Sequence, residues 1–170
     1  TTIDSKMQKH AELAVQTHFK NYLQKAFDIN NSKCKSPPFS NDLTASQIDT
    51  ILDRSVRQSM FYKKLIGKTC SYCERPSKYL QSSKKGHECS YCGTISPILT
   101  QLEINTKLNQ KRKMKVFDWS FENYEKDTFF SVKDSVRYYK GLLRSGLMSM
   151  NPHNGQIKAW VGGANFKHFK

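Results

Sequence analysis

Four cysteines stand at a spacing that can do chemistry. Cys70, Cys73, Cys89 and Cys92 read C-x2-C, then fifteen residues, then C-x2-C. A two-residue gap folds the backbone into a knuckle that presents two sulfurs to one ion, and two knuckles supply a tetrahedral set of four thiolates. Gly93, directly after the last cysteine, suits the tight turn such a knuckle makes. The halves CSYCE and CSYCG resemble each other, with Tyr72 and Tyr91 at equivalent places. Four thiolates leave no open position for water, so the chemistry is structural and not catalytic. A bound ion would order roughly 25 residues that have little apolar content of their own. Structural zinc is the expectation. Two disulfides in an oxidising compartment, a rubredoxin-type iron site and a redox-active CxxC pair use the same residues and stay open. Cys34 is left over in a Pro-rich stretch, and His87 reads as a surface neighbour of the cluster.

Nothing else in the chain offers a reactive constellation. Asp118, Glu122, Glu125 and Asp127 cluster only loosely, within a stretch (FENYEKD) that reads as polar loop. The histidines, at 10, 18, 87, 153 and 168, form no two-ligand helical motif. Gly162-Gly163 ends a strand and cradles no phosphate. Phe129-Phe130 and Tyr138-Tyr139 read as core, not as base-stacking platforms.

The 170 residues suffice for one domain or two small ones. Hydrophobic residues make up 37% and mean hydropathy is −0.69, so the core is modest. No run approaches the ~18 apolar residues of a membrane span, and no signal peptide is visible. The opening on Thr1, without an initiator Met, is expected of an excised segment. A net charge of +14 and a pI near 9.6 favour polyanionic partners: nucleic acid, an anionic membrane surface or an acidic wall polymer.

The elements that must carry these residues are mainly helical. Asp4 can cap a helix to about Phe27, with Met7, Ala11, Ala14, His18, Leu23 and Phe27 near one face. Residues 30–42 read as a loop. Thr44 and Gln47 have capping-box spacing for a second helix, with Ile48, Ile51, Leu52, Val56, Met60 and Leu65 as its stripe. Residues 100–109 look weakly helical, and 113–119 alternate like a strand. Ser131 can cap a third long helix to about Arg144, closed by Gly146. Residues 147–150 and 156–161 form a hairpin about the turn Pro152-His153-Asn154-Gly155.

Three segments carry a family resemblance. TTIDSKMQKHAELAV resembles the opening of the transpeptidase region in class A penicillin-binding proteins, where a strand ends at the Asp and a long helix packs behind the sheet. KRKMKVFDW resembles the segment preceding that sheet. DSVRYYKGLLRSGLMSMNPHNGQIKAWVGGANFKHFK resembles the helix, apolar strand, D-P-x-T-G turn and I-x-A-x-V-G-G strand of the family. Asn151 stands where Asp is usual and Asn154 where Thr is common. The closing AWVGG with N-x-K-x-F-K is similar to the Bacteroidetes group. Together the matches cover roughly the first 27 and last 60 residues.

The resemblance implies a bifunctional enzyme. A glycosyltransferase upstream polymerises lipid-linked disaccharide, and a serine transpeptidase downstream cross-links stem peptides. The transpeptidase carries S-x-x-K, S-x-N and K-T-G motifs. Ser82-Ser83-Lys84-Lys85, Ser149-Met150-Asn151 and Lys68-Thr69-Cys70 fit these only formally, so no catalytic residue is assigned.

The expectation is an α+β chain of long helices with a C-terminal β-hairpin from the edge of a transpeptidase sheet. Residues 1–30 would be the N-terminal helix. Residues 31–130 would be an inserted linker module with a zinc ribbon at about 68–95. Residues 131–170 would be the helix and first hairpin of the transpeptidase domain. The expected partners are other domains of the same polypeptide, envelope regulatory proteins or peptidoglycan. The parent would be anchored to the inner membrane and work on its periplasmic side. The alternative is a zinc-ribbon module that binds nucleic acid.

Overall fold

The computed structural model describes residues 2–83 and 85–163. Lys84, His168 and the N-x-K-x-F-K segment lie outside the described residues. The chain is α+β and divides into two compact units. One takes in the chain up to Asp42, then Lys113–Thr128, then the chain from Tyr138 onward. The other comprises Leu43–Arg112 and Phe129–Arg137. These boundaries differ from those expected at 30/31 and 130/131, because both units are assembled from separated stretches. No helix among the described residues is long and apolar enough to cross a membrane.

The first unit begins with a helical rod. Asp4 caps it, its carboxylate accepting from the N–H of Lys6 and Met7 at 2.9 and 3.0 Å. Helix α1 (Ser5–His18) runs into one π-helical stretch (Phe19–Leu23), and then α2 (Gln24–Asn31). The buried positions are Val15, Phe19 and Gln24, with Ala11 partly buried. This corrects the expected stripe: Met7, Ala14, His18 and Leu23 face solvent. Met7, Ala14 and His18 lie off the Ala11–Val15–Phe19 face that meets the core, and at Leu23 the reason is the wider π turn. Regular spacing would carry the inner face from Phe19 to Tyr22 or Leu23, whereas the extra residue carries it to Gln24.

The rod packs on strands β4 (Arg112–Phe117), β6 (Leu147–Met150) and β7 (Ile157–Val161), and β5 (Glu125–Phe130) pairs with β4. Val15, Phe19, Phe117, Trp119 and Val161 form the core. Trp119 meets Phe117 edge-on at 4.9 Å and Phe19 at 5.3 Å between centroids. A fully buried aromatic of this kind is worth about 3–5 kcal/mol on truncation to Ala. The 113–119 alternation is therefore a strand, as expected. The FENYEKD stretch is not all loop: Glu125 opens β5, and Lys115–Glu125 and Lys113–Asp127 ion pairs at 3.5 Å tie it to β4.

The hairpin β6–β7 is antiparallel, with Met148 opposite Trp160 and Ser149 opposite Ala159. Gly155 supplies the left-handed turn residue at φ +70°. Helix α6 (Val132–Lys140) is capped by Ser131, whose hydroxyl accepts from the Asp134 N–H at 3.2 Å. It stops four residues short of the expected end. Gly141, not Gly146, follows it, and the Gly141 N–H donates to the Tyr138 carbonyl at 2.9 Å.

The second unit holds α3 (Ala45–Gln58), α4 (Met60–Leu65), α5 (Gln101–Asn109) and a three-stranded antiparallel sheet. Its strands are β1 (Leu80–Ser83), β2 (Gly86–Cys89) and β3 (Ile95–Ser96), in that order. Capping boxes start α3 (Thr44 with Gln47) and α5 (Thr100 with Glu103). Ile48, Leu52, Val56 and Ile104 are buried. Met60 is not: Ser59, extended at ψ 146°, breaks the expected stripe before it.

Candidate metal centre

The sheet of the second unit holds the cysteines in two matching loops. In the first, Cys70 N–H donates to the Arg75 carbonyl at 2.8 Å; in the second, Cys89 N–H donates to the Thr94 carbonyl at 3.0 Å. Flanking backbones pair in the same way, Thr69 with Pro76 and Glu88 with Ile95. The residue after each second cysteine is left-handed: Glu74 at φ 58° and Gly93 at φ 71°. The second loop places glycine there, and the first carries the strain on a glutamate whose carboxylate meets Lys64 at 2.8 Å.

These loops converge. The sulfurs of Cys70, Cys73, Cys89 and Cys92 all lie within 4.8 Å of one another. Cys70 Sγ is 3.5 Å from Cys92 Sγ, and Cys73 Sγ is 3.7 Å from Cys89 Sγ. Ligands about 2.3 Å from a tetrahedral ion stand ~3.8 Å apart, so the arrangement is that of four ligands round one centre. Cys70 and Cys89 are buried, and none of the five cysteines is paired in a disulfide. The residues present therefore fit a metal ion.

The thiols are tuned unequally. The Cys92 pKa falls to about 6 because the Thr94 hydroxyl, 3.3 Å away, and the Thr94 N–H stabilise the thiolate against burial. At Cys73 the Arg75 N–H acts to lower the value, but burial and the neighbouring Cys70, Cys92 and Cys89 push it up to about 12. A divalent ion would offset that crowding of sulfur and hold all four as thiolates. With four protein ligands in place, what an ion would supply is cohesion, tying strands β1–β3 to the loops at either end.

The other candidates stay apart. Asp118 accepts from Ser120 N–H and Tyr138 hydroxyl, and Glu125 and Asp127 are engaged with lysines. His10, His18 and His153 are exposed. His87 is half-buried rather than on the surface: its ring lies over Gly67 and meets the Ser82 hydroxyl at 3.1 Å. Ser82 and Ser83 sit in strand β1, and Ser149 and Met150 end β6, so neither motif opens a helix. Sequence reasoning missed the supports of the cluster, Arg75 and Thr94. The signal was their common place, two residues after the second cysteine of each half.

Comparison with known families locates part of the chain. Residues 98–143 match the family model of the penicillin-binding protein middle domain. The match supports a penicillin-binding protein segment here, running through α5, β4, β5 and α6. It begins after Cys92 and leaves the cysteine cluster outside. No curated protein and no solved structure matches the chain.

Proposed function

We propose that the chain is a non-catalytic segment of a class A penicillin-binding protein of the Bacteroidetes-like group. In the parent, a glycosyltransferase domain polymerises glycan strands and a transpeptidase domain cross-links stem peptides. The parent is anchored to the inner membrane and works on its periplasmic side. The match over residues 98–143 carries this reading. The hairpin and the long N-terminal helix, which packs on β7, agree with the edge of a transpeptidase sheet. The four-cysteine module binds structural zinc and acts as a stiff insert that spaces the catalytic domains or docks an envelope protein or peptidoglycan.

A fluorescent penicillin tests the reading. Covalent label is expected on the full-length parent and not on residues 1–170 alone. Labelling of the segment itself, or none on the parent, overturns it. The second reading, nucleic-acid binding, rests on the +14 charge. It requires a gel shift that discriminates between sequences, since sequence-blind, salt-sensitive binding reports charge alone.

A further inference from the structure

A groove of about 210 Å3 opens inside the second unit, between α3, α5 and the first turn of α6. Val56 and Leu108 give it an apolar floor. Its walls are polar: Asp53, Arg57, Tyr62, Gln101, Asn105, Asn109 and Lys133. Lys133 is already neutralised, with Asp49 at 2.9 Å and Asp53 at 3.4 Å. Arg57 is different. Among the described residues its guanidinium has no acceptor, and the side chain of Asn109 and the Tyr62 hydroxyl have no partner. Gln101 donates to Asn105 Oδ1 at 3.0 Å, which leaves the Gln101 carbonyl and the Asn105 amino group for a ligand.

The three side-chain amides have a period. Gln101, Asn105 and Asn109 recur every four residues along α5, about 6 Å per step. An extended peptide repeats its like-facing amides every two residues, about 6.8 Å. Amide groups, each donor and acceptor, at that spacing complement a peptide backbone. At one end the groove continues into a hollow of about 470 Å3 that adds Arg54, a second guanidinium without a partner among the described residues. Guanidinium groups bind carboxylates through two parallel hydrogen bonds.

We propose that this groove binds a short acidic peptide in extended form. Its carboxylates sit on Arg57 and Arg54, and its backbone amides on the side chains of Gln101, Asn105 and Asn109. Two unpaired guanidinia beside a neutralised lysine make no continuous basic track, which disfavours a phosphodiester chain. The proposal rests on the groove alone and stands or falls separately from the cell-wall reading.

The test is a backbone amide NMR titration of the full chain with N-acetyl-Ala-Glu-Ala, which carries two carboxylates. Saturable shifts are expected in residues 53–62 and 101–109. Arg57→Gln, an exposed position, is expected to weaken binding about tenfold or more, the loss of one charge-assisted bidentate pair. Asn109→Asp, which adds a negative charge, is expected to weaken it too. The uncharged N-acetyl-Ala-Gln-Ala amide is expected to bind far more weakly. The proposal is overturned by no saturation up to about 5 mM peptide, or by equal affinity in Arg57→Gln. It is likewise overturned if citrate or an oligothymidylate binds the same residues as tightly as the peptide.

Discussion

The side-chain amide of Gln8 pairs with both backbone groups of Trp160. Gln8 Nε2 donates to the Trp160 carbonyl at 2.8 Å, and the Trp160 N–H donates to Gln8 Oε1 at 2.8 Å. One glutamine thus stands in for a missing strand on the outer edge of β7. One turn earlier, Asp4 N–H donates to the Lys158 carbonyl at 2.9 Å and extends the same pairing. An edge with unpaired polar groups invites foreign strands, and here a helix covers it. Gln24 does similar work on the 141–143 connection, donating to the Gly141 carbonyl at 2.9 Å and accepting from Leu143 N–H at 3.0 Å.

The two glutamines differ in burial, and so in cost. Gln8→Ala leaves the Trp160 groups where water reaches them, and a loss of about 1 kcal/mol is expected. Gln24 is buried, so Gln24→Ala strands polar groups away from water and is expected to cost about 2 kcal/mol. Urea unfolding of the two variants checks the order. Amide exchange at Trp160 is expected to speed up only in Gln8→Ala.

The metal centre predicts one tightly held zinc per chain. Cys89→Ser and Cys92→Ser are expected to lose it, while Cys34→Ser, outside the cluster, keeps it. Protons compete with the metal for thiolates, so retention falls as pH falls. Elemental analysis before and after dialysis against chelator measures both effects. Trp119 lies in the core of the first unit, so its emission is expected to stay unchanged while the circular dichroism of the second unit alters. Two disulfides found by intact mass would overturn the assignment.

Two glycines of the cysteine module separate strain from collision. Gly93→Ala adds a Cβ that meets nothing within 4 Å, so only the left-handed φ of 71° opposes it, at about 1–2 kcal/mol. At Gly86 a Cβ would lie 2.3 Å from the Ser96 carbonyl oxygen, which breaks the β2–β3 pairing beside Cys89. Gly86→Ala is expected to abolish zinc retention, and Gly93→Ala to preserve it. Equal retention in both would refute the distinction.

Tyr138 sets an alkaline limit. Burial, and then the Asp118 carboxylate, hold its hydroxyl well above the ordinary value of 10.0. The hydroxyl donates to the Phe117 carbonyl at 2.9 Å. Folding therefore favours the neutral phenol. That contribution is whole below the ordinary tyrosine value and is lost as pH rises beyond it. Tyr138→Phe is expected to cost about 1 kcal/mol at neutral pH and to flatten the alkaline fall in stability. Thermal melts from pH 8 to pH 11 on both proteins check it.

The local signals in the sequence were accurate where chemistry is local. Thr44 with Gln47, the 113–119 alternation, the Gly155 turn and the four cysteines each depend on neighbours within a few residues, and the structure places them accordingly. The inner face of the first helix was not legible. Its phase is set by Trp119, Phe117 and Val161, more than 90 residues downstream, through a π turn that no spacing rule encodes. The Arg57 groove was hidden for the same reason. Its walls come from stretches some 40 and 75 residues apart, and each reads alone as an ordinary solvated helix face.

The π turn also bears on descent. Deleting any one residue between Phe19 and Leu23 would restore a regular helix, with better local hydrogen bonding. It would leave Gln24 four positions after Phe19, still on the inner face that meets Gly141 and Leu143. A lineage can therefore lose this residue without rebuilding the 141–143 connection. In an alignment of relatives, a one-residue gap here should leave both the glutamine and the length of chain after α6 unchanged.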